Sequence, residues 1–213
     1  MRPQRVFFPL RFGMEHTMFR MLTSVVALAV LSQPAAAGDV AQYGVGIGLS
    51  PFGGSLNLAY HASKKTTAFV TLGGAPSMEA PMKMNVDDTE YTQTGGSSWV
   101  GAFLNHRPFK DANWFRVNTG IGIGNIEGEL EDDAGNKYTV EYSENPVGYI
   151  GLGVGSSAMK GMTFGFDLGW LQTGGPDITK VAGPGADKSD DIDGTMGAGN
   201  VLPNLQLSVG YNW

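Results

Sequence analysis

The alternation typical of a β-strand is clearest at the C-terminus, where residues 205–213 read LQLSVGYNW. Large apolar side chains occupy every second position, and Gln, Ser, Gly or Asn stands between them. Because the side chains of a strand point alternately to its two faces, one face is large and apolar while the other is small or polar. The large positions are Leu205, Leu207, Val209, Tyr211 and Trp213.

The same period of two recurs upstream, for example in FRVNTGIGIG at residues 115–124 and MTFGFDLGW at residues 162–170. A soluble barrel directs its large apolar side chains inward, whereas a lipid-facing barrel directs them outward and keeps small and polar groups inside. The pattern therefore predicts an all-β, eight-stranded antiparallel up-and-down transmembrane β-barrel. Its strands fall at about 41–50, 55–62, 66–75, 97–108, 114–129, 138–156, 161–171 and 202–213.

Three of these segments, 66–75, 97–108 and 138–156, carry apolar residues on both faces, so the sequence leaves their facing open. Phe69, Trp99, Phe103 and Tyr149 fit either face.

Composition narrows the class of protein. The chain has 213 residues and no cysteine, which excludes a disulfide framework, a thiolate metal site and a cysteine nucleophile. Only 16% of the residues are charged, yet no apolar run reaches the roughly 20 residues of a membrane-spanning helix. The 32 glycines suit a narrow barrel interior.

The N-terminus has the pattern of an export signal. Arg20 precedes the short apolar run at residues 25–31, and the alanines at residues 35–37 suit a cleavage site. We therefore expect residues 1–37 to be a cleaved signal peptide and residues 38–213 to form the barrel. The remaining chain carries 10 basic and 19 acidic residues and has no basic stripe for nucleic acid.

The connections predict an orientation in the membrane. Those on one side are short and contain lysines, whereas long external loops are expected near 76–96, 130–141 and 172–201. Most acidic residues fall in or beside these loops. The loops at 76–96 and 172–201 are expected to be mobile, because they bury too little apolar area to order themselves.

The C-terminal strand also carries a resemblance. Its terminal aromatic residue, with apolar or aromatic residues at alternate positions before it, resembles the assembly signal of bacterial outer-membrane proteins. The chain from residue 38 is similar to the small barrels of the OmpA transmembrane domain, OmpX and OmpW. The resemblance implies a location in the outer membrane of a Gram-negative cell envelope after export through the periplasm. The partners it implies are the outer-membrane assembly machinery, outer-membrane lipids and lipopolysaccharide.

Several residues are candidates for chemistry. Arg116 and Asp167 fall on small-residue faces, so they are expected to pair in the lumen, with His106 a further candidate partner. His61 and Ser63 have the spacing of an outer-membrane lipid A deacylase, in which serine is the nucleophile and histidine the base. The weak metal candidates Asp191 and Asp193 lie in a stretch that only partly matches a calcium loop.

We interpret the chain as a monomeric integral outer-membrane protein that is not an enzyme and needs no cofactor. Its role is expected to be structural or one of surface interaction, or at most conduction of small solutes through a narrow porin-like lumen. Two alternatives stay open at this stage. One is an outer-membrane lipid-modifying enzyme of the lipid A deacylase kind, and the other is a secreted soluble β-barrel that binds a small hydrophobic ligand.

Overall fold

The structure is a computed structural model that describes residues 40–79, 83–87, 89–143, 146–193, 195 and 198–213. The predicted signal peptide lies outside the described residues. Within them the fold is almost entirely β, and no helix has the length and apolar character needed to cross a membrane.

The described part of the chain forms eleven strands and one short helix. In chain order they are β1 (Tyr43–Ser50), β2 (Gly53–His61), β3 (Thr66–Glu79), β4 (Met84–Val86), β5 (Thr89–His106), β6 (Phe115–Asp132), β7 (Lys137–Tyr142), β8 (Val147–Gly155), β9 (Gly161–Gln172), β10 (Asp177–Ala182), α1 (Ser189–Ile192) and β11 (Val201–Asn212).

Eight of the strands close a ring in which every pairing is antiparallel. The order around the ring is β1, β2, β3, β5, β6, β8, β9 and β11, and β11 returns to β1 with Tyr211 opposite Val45. The predicted all-β antiparallel class is confirmed. The strand number differs from the prediction, because β4, β7 and β10 are additional strands outside the ring.

The two faces of the ring follow the alternation in the sequence. On β9, Phe164, Phe166 and Leu168 are exposed on the outer face, while Asp167 and Gly169 are buried on the inner face. The sequence left the facing of four aromatic residues open. In the structure they occupy the same alternate positions as the inward-facing residues of their strands, so they face the interior of the ring. They are Phe69, Trp99, Phe103 and Tyr149.

The polarity of the two faces reverses part of the way along β6. Between Phe115 and Gly124 the exposed positions are mainly apolar and the inner ones are small or polar. From Asn125 onward the exposed residues include Glu127 and Glu129, while Leu130 is buried on the inner face. The upper part of β6 is therefore built like a strand of a soluble protein, with its apolar face covered and its charged face exposed.

The covered face belongs to a second structural unit at one end of the ring, which we call the cap. It comprises β4, β7, β10, α1 and the parts of β5 and β6 that pair with β4 and β7. Burial, with a smaller contribution from the charge of Asp193, raises the pKa of Tyr142 to about 12, so this phenol stays neutral. The cap core consists of Val86, Tyr91, Leu130, Tyr138, Val140, Tyr142, Ile192, Ala198 and Leu202.

The long loops predicted from the sequence are ordered parts of the cap. Segments 76–96, 130–141 and 172–201 contain strands, and their apolar side chains meet in one core. The expectation that segments 76–96 and 172–201 bury too little apolar area was wrong, because residues distant in the sequence supply the core together. The predicted strand at 138–156 is two strands, β7 and β8, which pair with different parts of β6.

The opposite end of the ring, which we call the base, has short connections at residues 62–65, 107–114 and 156–160. The turn between β1 and β2 is also short, but it lies at the cap end. Gly53 has a φ of 93°, a left-handed conformation that favours glycine there.

The cap core gives a test of this architecture. Leu130, only 1% exposed, should be required for cap stability, and Leu130→Ala should cost about 2–5 kcal/mol because it leaves a cavity. Trypsin should then cut faster at Lys180 and Lys188 in the refolded protein, while the ring strands stay resistant. The matched control is Glu127→Ala, on the exposed face of the same strand. Equal cleavage rates in the two variants would contradict a packed cap.

Candidate functional site

The interior of the ring holds the polar groups from which a site can be built. The central interaction joins Arg116 on β6 to Asp167 on β9. Arg116 Nε donates to Asp167 Oδ1 at 2.9 Å, and Nη2 donates to Oδ2 at 2.5 Å. Asn118 Nδ2 donates to Oδ1 at 2.5 Å. This two-pronged geometry is the strongest form of an arginine–carboxylate interaction, and its partners are buried.

Glycines on the neighbouring strand β8 and on β9 make room for this pair. A Cβ atom at Gly153 would collide with the Asp167 carboxylate, and one at Gly165 would collide with the Arg116 guanidinium. The glycines that the sequence places on the small face therefore permit two large charged groups to lie across the interior.

His106, the further candidate partner, lies elsewhere. It is exposed, and its Nδ1 lies 3.0 Å from Thr66 Oγ1 on the neighbouring strand. The expected contact with the Arg116–Asp167 pair is absent because His106 has the parity of the outer face.

A second interior arginine, Arg107, connects the turns at the base. Its Nε donates to the carbonyl of Asn113 at 3.0 Å, and Nη2 donates to the carbonyl of Ser156 at 2.6 Å. Nη1 donates to Asn105 Oδ1 at 3.2 Å. The side chain is almost fully buried and all of these acceptors are neutral.

An aromatic layer crosses the interior nearer to the cap. Phe103 packs edge-to-face against Trp99 and Tyr149, with ring centroids 6.4 Å and 5.8 Å away. Glycine again provides the space, because a Cβ atom at Gly120 would collide with the Phe103 ring and one at Gly151 with Tyr149.

A cavity of about 190 Å³ remains between these groups. Its lining includes Arg107, Phe103 and Tyr149. Beside it, Nε2 of His61 makes no hydrogen bond of good geometry, and the Tyr149 hydroxyl and the Asn204 side chain lie near each other.

His61 and Ser63, which have the spacing of a lipid A deacylase, do not lie together in one site. Nδ1 of His61 lies 2.8 Å from Thr67 Oγ1 in the buried interior. Ser63 Oγ instead accepts hydrogen bonds from the backbone amides of Lys65 and Thr66 at 3.2 Å and 3.0 Å in the base turn. The Ser63 hydroxyl therefore stabilises the base turn. It does not contact the His61 ring, as a serine nucleophile would contact its base.

The weak metal candidates lie in the cap. Asp191 is part of α1, and Asp193 follows its end, so the stretch is a helical turn and not a calcium loop. In the described part of the chain, no group of three or more His, Asp or Glu side chains is arranged to hold a metal ion.

The residues of the predicted assembly signal lie on the last strand of the ring and just beyond it. Leu205, Leu207 and Val209 are exposed on the outer face. The backbone of Trp213 closes the ring, because its amide donates to the Tyr43 carbonyl at 2.9 Å and its carbonyl accepts from Gln42 and Tyr43.

Sequence reasoning identified Arg116 and Asp167 but missed Arg107 and Asn118. Asn118 lies two residues after Arg116 on the same small face, so the alternation already contained this signal. Arg107 follows the end of β5, where a strand period no longer tells which way a side chain points.

No protein-family model and no curated protein matches this chain in sequence. Its fold is shared with solved bacterial proteins. CarO of Acinetobacter baumannii matches with a TM-score of 0.59 and 15% identity, over 82% of this chain and 98% of that protein. CarO2 of the same organism matches with a TM-score of 0.58 and 15% identity, over 83% and 100%.

A major outer membrane protein from Thermus thermophilus matches with a TM-score of 0.50 and 15% identity, over 82% of this chain and all of that protein. At this identity the likeness is one of fold. The shared fold is that of these outer-membrane proteins, and it does not single out the OmpA, OmpX and OmpW group of the sequence prediction.

The Arg116–Asp167 pair predicts a specific pattern of stability. Asp167→Asn leaves two interior arginines without a carboxylate, so it should cost about 3–5 kcal/mol. Arg116→Met should cost less, because Arg107 remains to balance Asp167. The double variant should cost less than the sum of the single variants. Urea unfolding in lipid vesicles, followed by tryptophan fluorescence, measures all three. Strict additivity would contradict a coupled pair.

Proposed function

We propose that the chain is an integral outer-membrane β-barrel protein that anchors an ordered cap at the cell surface. The observation that carries the proposal is a belt of exposed apolar side chains on all eight strands of the ring. Such residues are between about two-fifths and two-thirds exposed, as for Ile47 at 46% and Leu49 at 64%. The belt further includes Leu58, Val70, Leu72, Leu104, Ile121, Ile123, Ile150, Leu152, Val154, Phe164, Phe166, Leu168, Leu205, Leu207 and Val209.

The belt argues against a secreted soluble barrel. Soluble monomers rarely expose contiguous apolar patches larger than a few hundred Å², whereas this belt encircles the ring. Lipid is the environment in which outward apolar side chains and an inward polar pair are both favourable.

The length of the strands and the aromatic residues at the rim fit a bilayer. β11 has 12 residues, which span about 40 Å of strand, or about 30 Å along the axis of a barrel whose strands tilt by about 40°. At the base, Tyr43, Tyr60, Phe109 and Trp114 are exposed, and Trp170 is exposed towards the cap. Aromatic residues at both rims are typical of interfacial girdles.

Charge supports an orientation with the cap outside. Exposed carboxylates lie on the outer faces of the cap strands, as at Glu127, Glu129 and Glu131. Lysines occupy the base turns at positions 64, 65, 110 and 160. Short turns on the periplasmic side and longer segments outside are the usual arrangement of outer-membrane barrels.

The interior supports a structural or surface role over that of a general porin. The buried Arg116–Asp167 pair and the Trp99–Phe103–Tyr149 layer cross the ring at different heights. The cap core lies beyond them. The proposal also assigns no enzymatic activity, because His61 and Ser63 point into different environments.

The lipid-facing belt gives the first test. Leu207→Arg should destabilise the protein in vesicles by about 2–4 kcal/mol if the position lies near the bilayer midplane, because the charge would enter lipid. The control is Glu127→Arg on the exposed face of the cap, where the expected change is small. Urea unfolding in vesicles measures both. A Leu207→Arg variant as stable as the Glu127→Arg variant would indicate a water-exposed belt and contradict the proposal.

The orientation is tested by labelling. Since the chain has no cysteine, a single introduced thiol is unique. Asp133→Cys at the exposed tip of the β6–β7 hairpin should react with a membrane-impermeant maleimide on intact cells. Lys110→Cys in the exposed base turn should react only after the outer membrane is permeabilised. The reverse result would invert the orientation, and no labelling of either on intact cells would contradict surface display of the cap.

A further inference from the structure

The interior of the ring carries more positive than negative charge. The charged residues that line the cavity are Arg107, Arg116 and Asp167. Asp167 is bound by Arg116 and Asn118, so its negative charge is already matched. None of the described carboxylates lies within ion-pair distance of Arg107. A buried cation bound only by neutral acceptors is unusual, since buried charges are normally paired.

The second observation is a set of polar atoms that the protein leaves unpartnered beside the same cavity. His61, Tyr149 and Asn204 are at most 9% exposed, and each has one side-chain atom without a hydrogen bond. Nε2 of His61 has no partner, although the Asn212 side chain lies close by, and the ring is near enough to Arg107 to feel its charge. The Tyr149 hydroxyl and the Asn204 side chain lie close enough to interact with each other, so they do not require an outside partner. Buried polar groups are almost always hydrogen-bonded, so Nε2 of His61, beside Arg107, is the atom that indicates an absent partner molecule.

We propose that this cavity binds a small monocarboxylate that has an apolar body. The carboxylate lies at the base end, near Arg107 and His61, where positive charge and an unpartnered ring nitrogen occur together. The apolar body lies against the aromatic layer of Phe69, Phe103 and Tyr149.

Size limits the ligand to a compact molecule. An apolar cavity of about 150 Å³ accepts a benzene molecule. The 190 Å³ found here accepts an aromatic or alicyclic ring of that size with one carboxylate attached. A doubly charged anion does not fit the interior charge, because only one positive charge is left uncompensated.

The test uses the full chain refolded in detergent micelles and para-fluorobenzoate as the probe, observed by fluorine NMR. We expect saturable binding with a dissociation constant of about 1 mM or tighter, beyond the partition into empty micelles. The cation para-fluorobenzylamine and the neutral para-fluorobenzamide have similar size and should bind at least about tenfold more weakly. No saturation by the benzoate up to about 10 mM, or equal binding of the cation, would overturn the proposal.

Two variants locate the site. Arg107→Gln should weaken benzoate binding at least about tenfold, whereas Lys110→Gln, which makes the same charge change in an exposed base turn, should leave it unchanged. Because Arg107 also connects the base turns, its replacement also risks misfolding. Ala59→Leu therefore serves as a second variant, since it fills the cavity without changing charge and should abolish binding of every probe. Benzoate binding at the wild-type level in folded Ala59→Leu or Arg107→Gln would overturn the assignment.

Discussion

The narrow interior of the eight-stranded ring is the constraint on which the rest of the structure depends. A ring of this size has room for little more than its own inward side chains, so a large group on one strand needs a gap on the next. Asp167 lies against Gly153, and Phe103 lies against Gly120. The same constraint sends the remaining large apolar residues outward, which creates the exposed belt. The abundance of glycine and the outward apolar face are thus two consequences of one geometric limit.

This limit explains how much of the fold and the site the sequence could reveal. Strand alternation is clear on β6, β9 and β11, so the β class, the outward apolar face and the inward parity of Arg116 and Asp167 were predictable. The contact between those two residues required the pairing of β6 with β8 and of β8 with β9, which alternation does not encode. Arg107 was missed because it lies beyond the end of a strand. The facing of Phe103 and Tyr149 was open because both faces of their strands are apolar.

The cap was missed for a different reason. Its core joins residues far apart in the chain, such as Leu130 and Ile192, and each contributing segment by itself is polar enough to suggest a loop. The signal that existed was the exchange of faces on β6, where the apolar positions pass from the odd-numbered to the even-numbered residues near Asn125. On such a strand the period of two continues, but the apolar side chains move from the outer face to the inner face. This change indicates that the strand passes from one solvent environment to another. That exchange marks the proposed boundary between lipid and water more sharply than hydropathy does.

The interior and the cap have separate energetic roles. The cap core is mainly apolar and is built like that of a soluble domain, and the ring adds Leu202 of β11 to it. The interior is polar, and Asp167 alone is enough to neutralise Arg116. Burying the charge of Arg107 destabilises the folded protein, and a neutral side chain could bind the same backbone carbonyls. An interior that served only to fill space would therefore not need this charge. The extra cation and the unpartnered His61 nitrogen lie together at the base end of one cavity, which is the arrangement expected of a binding site. The surface role proposed for the cap and the ligand proposed for the interior can therefore be altered independently by substitutions in one and not the other.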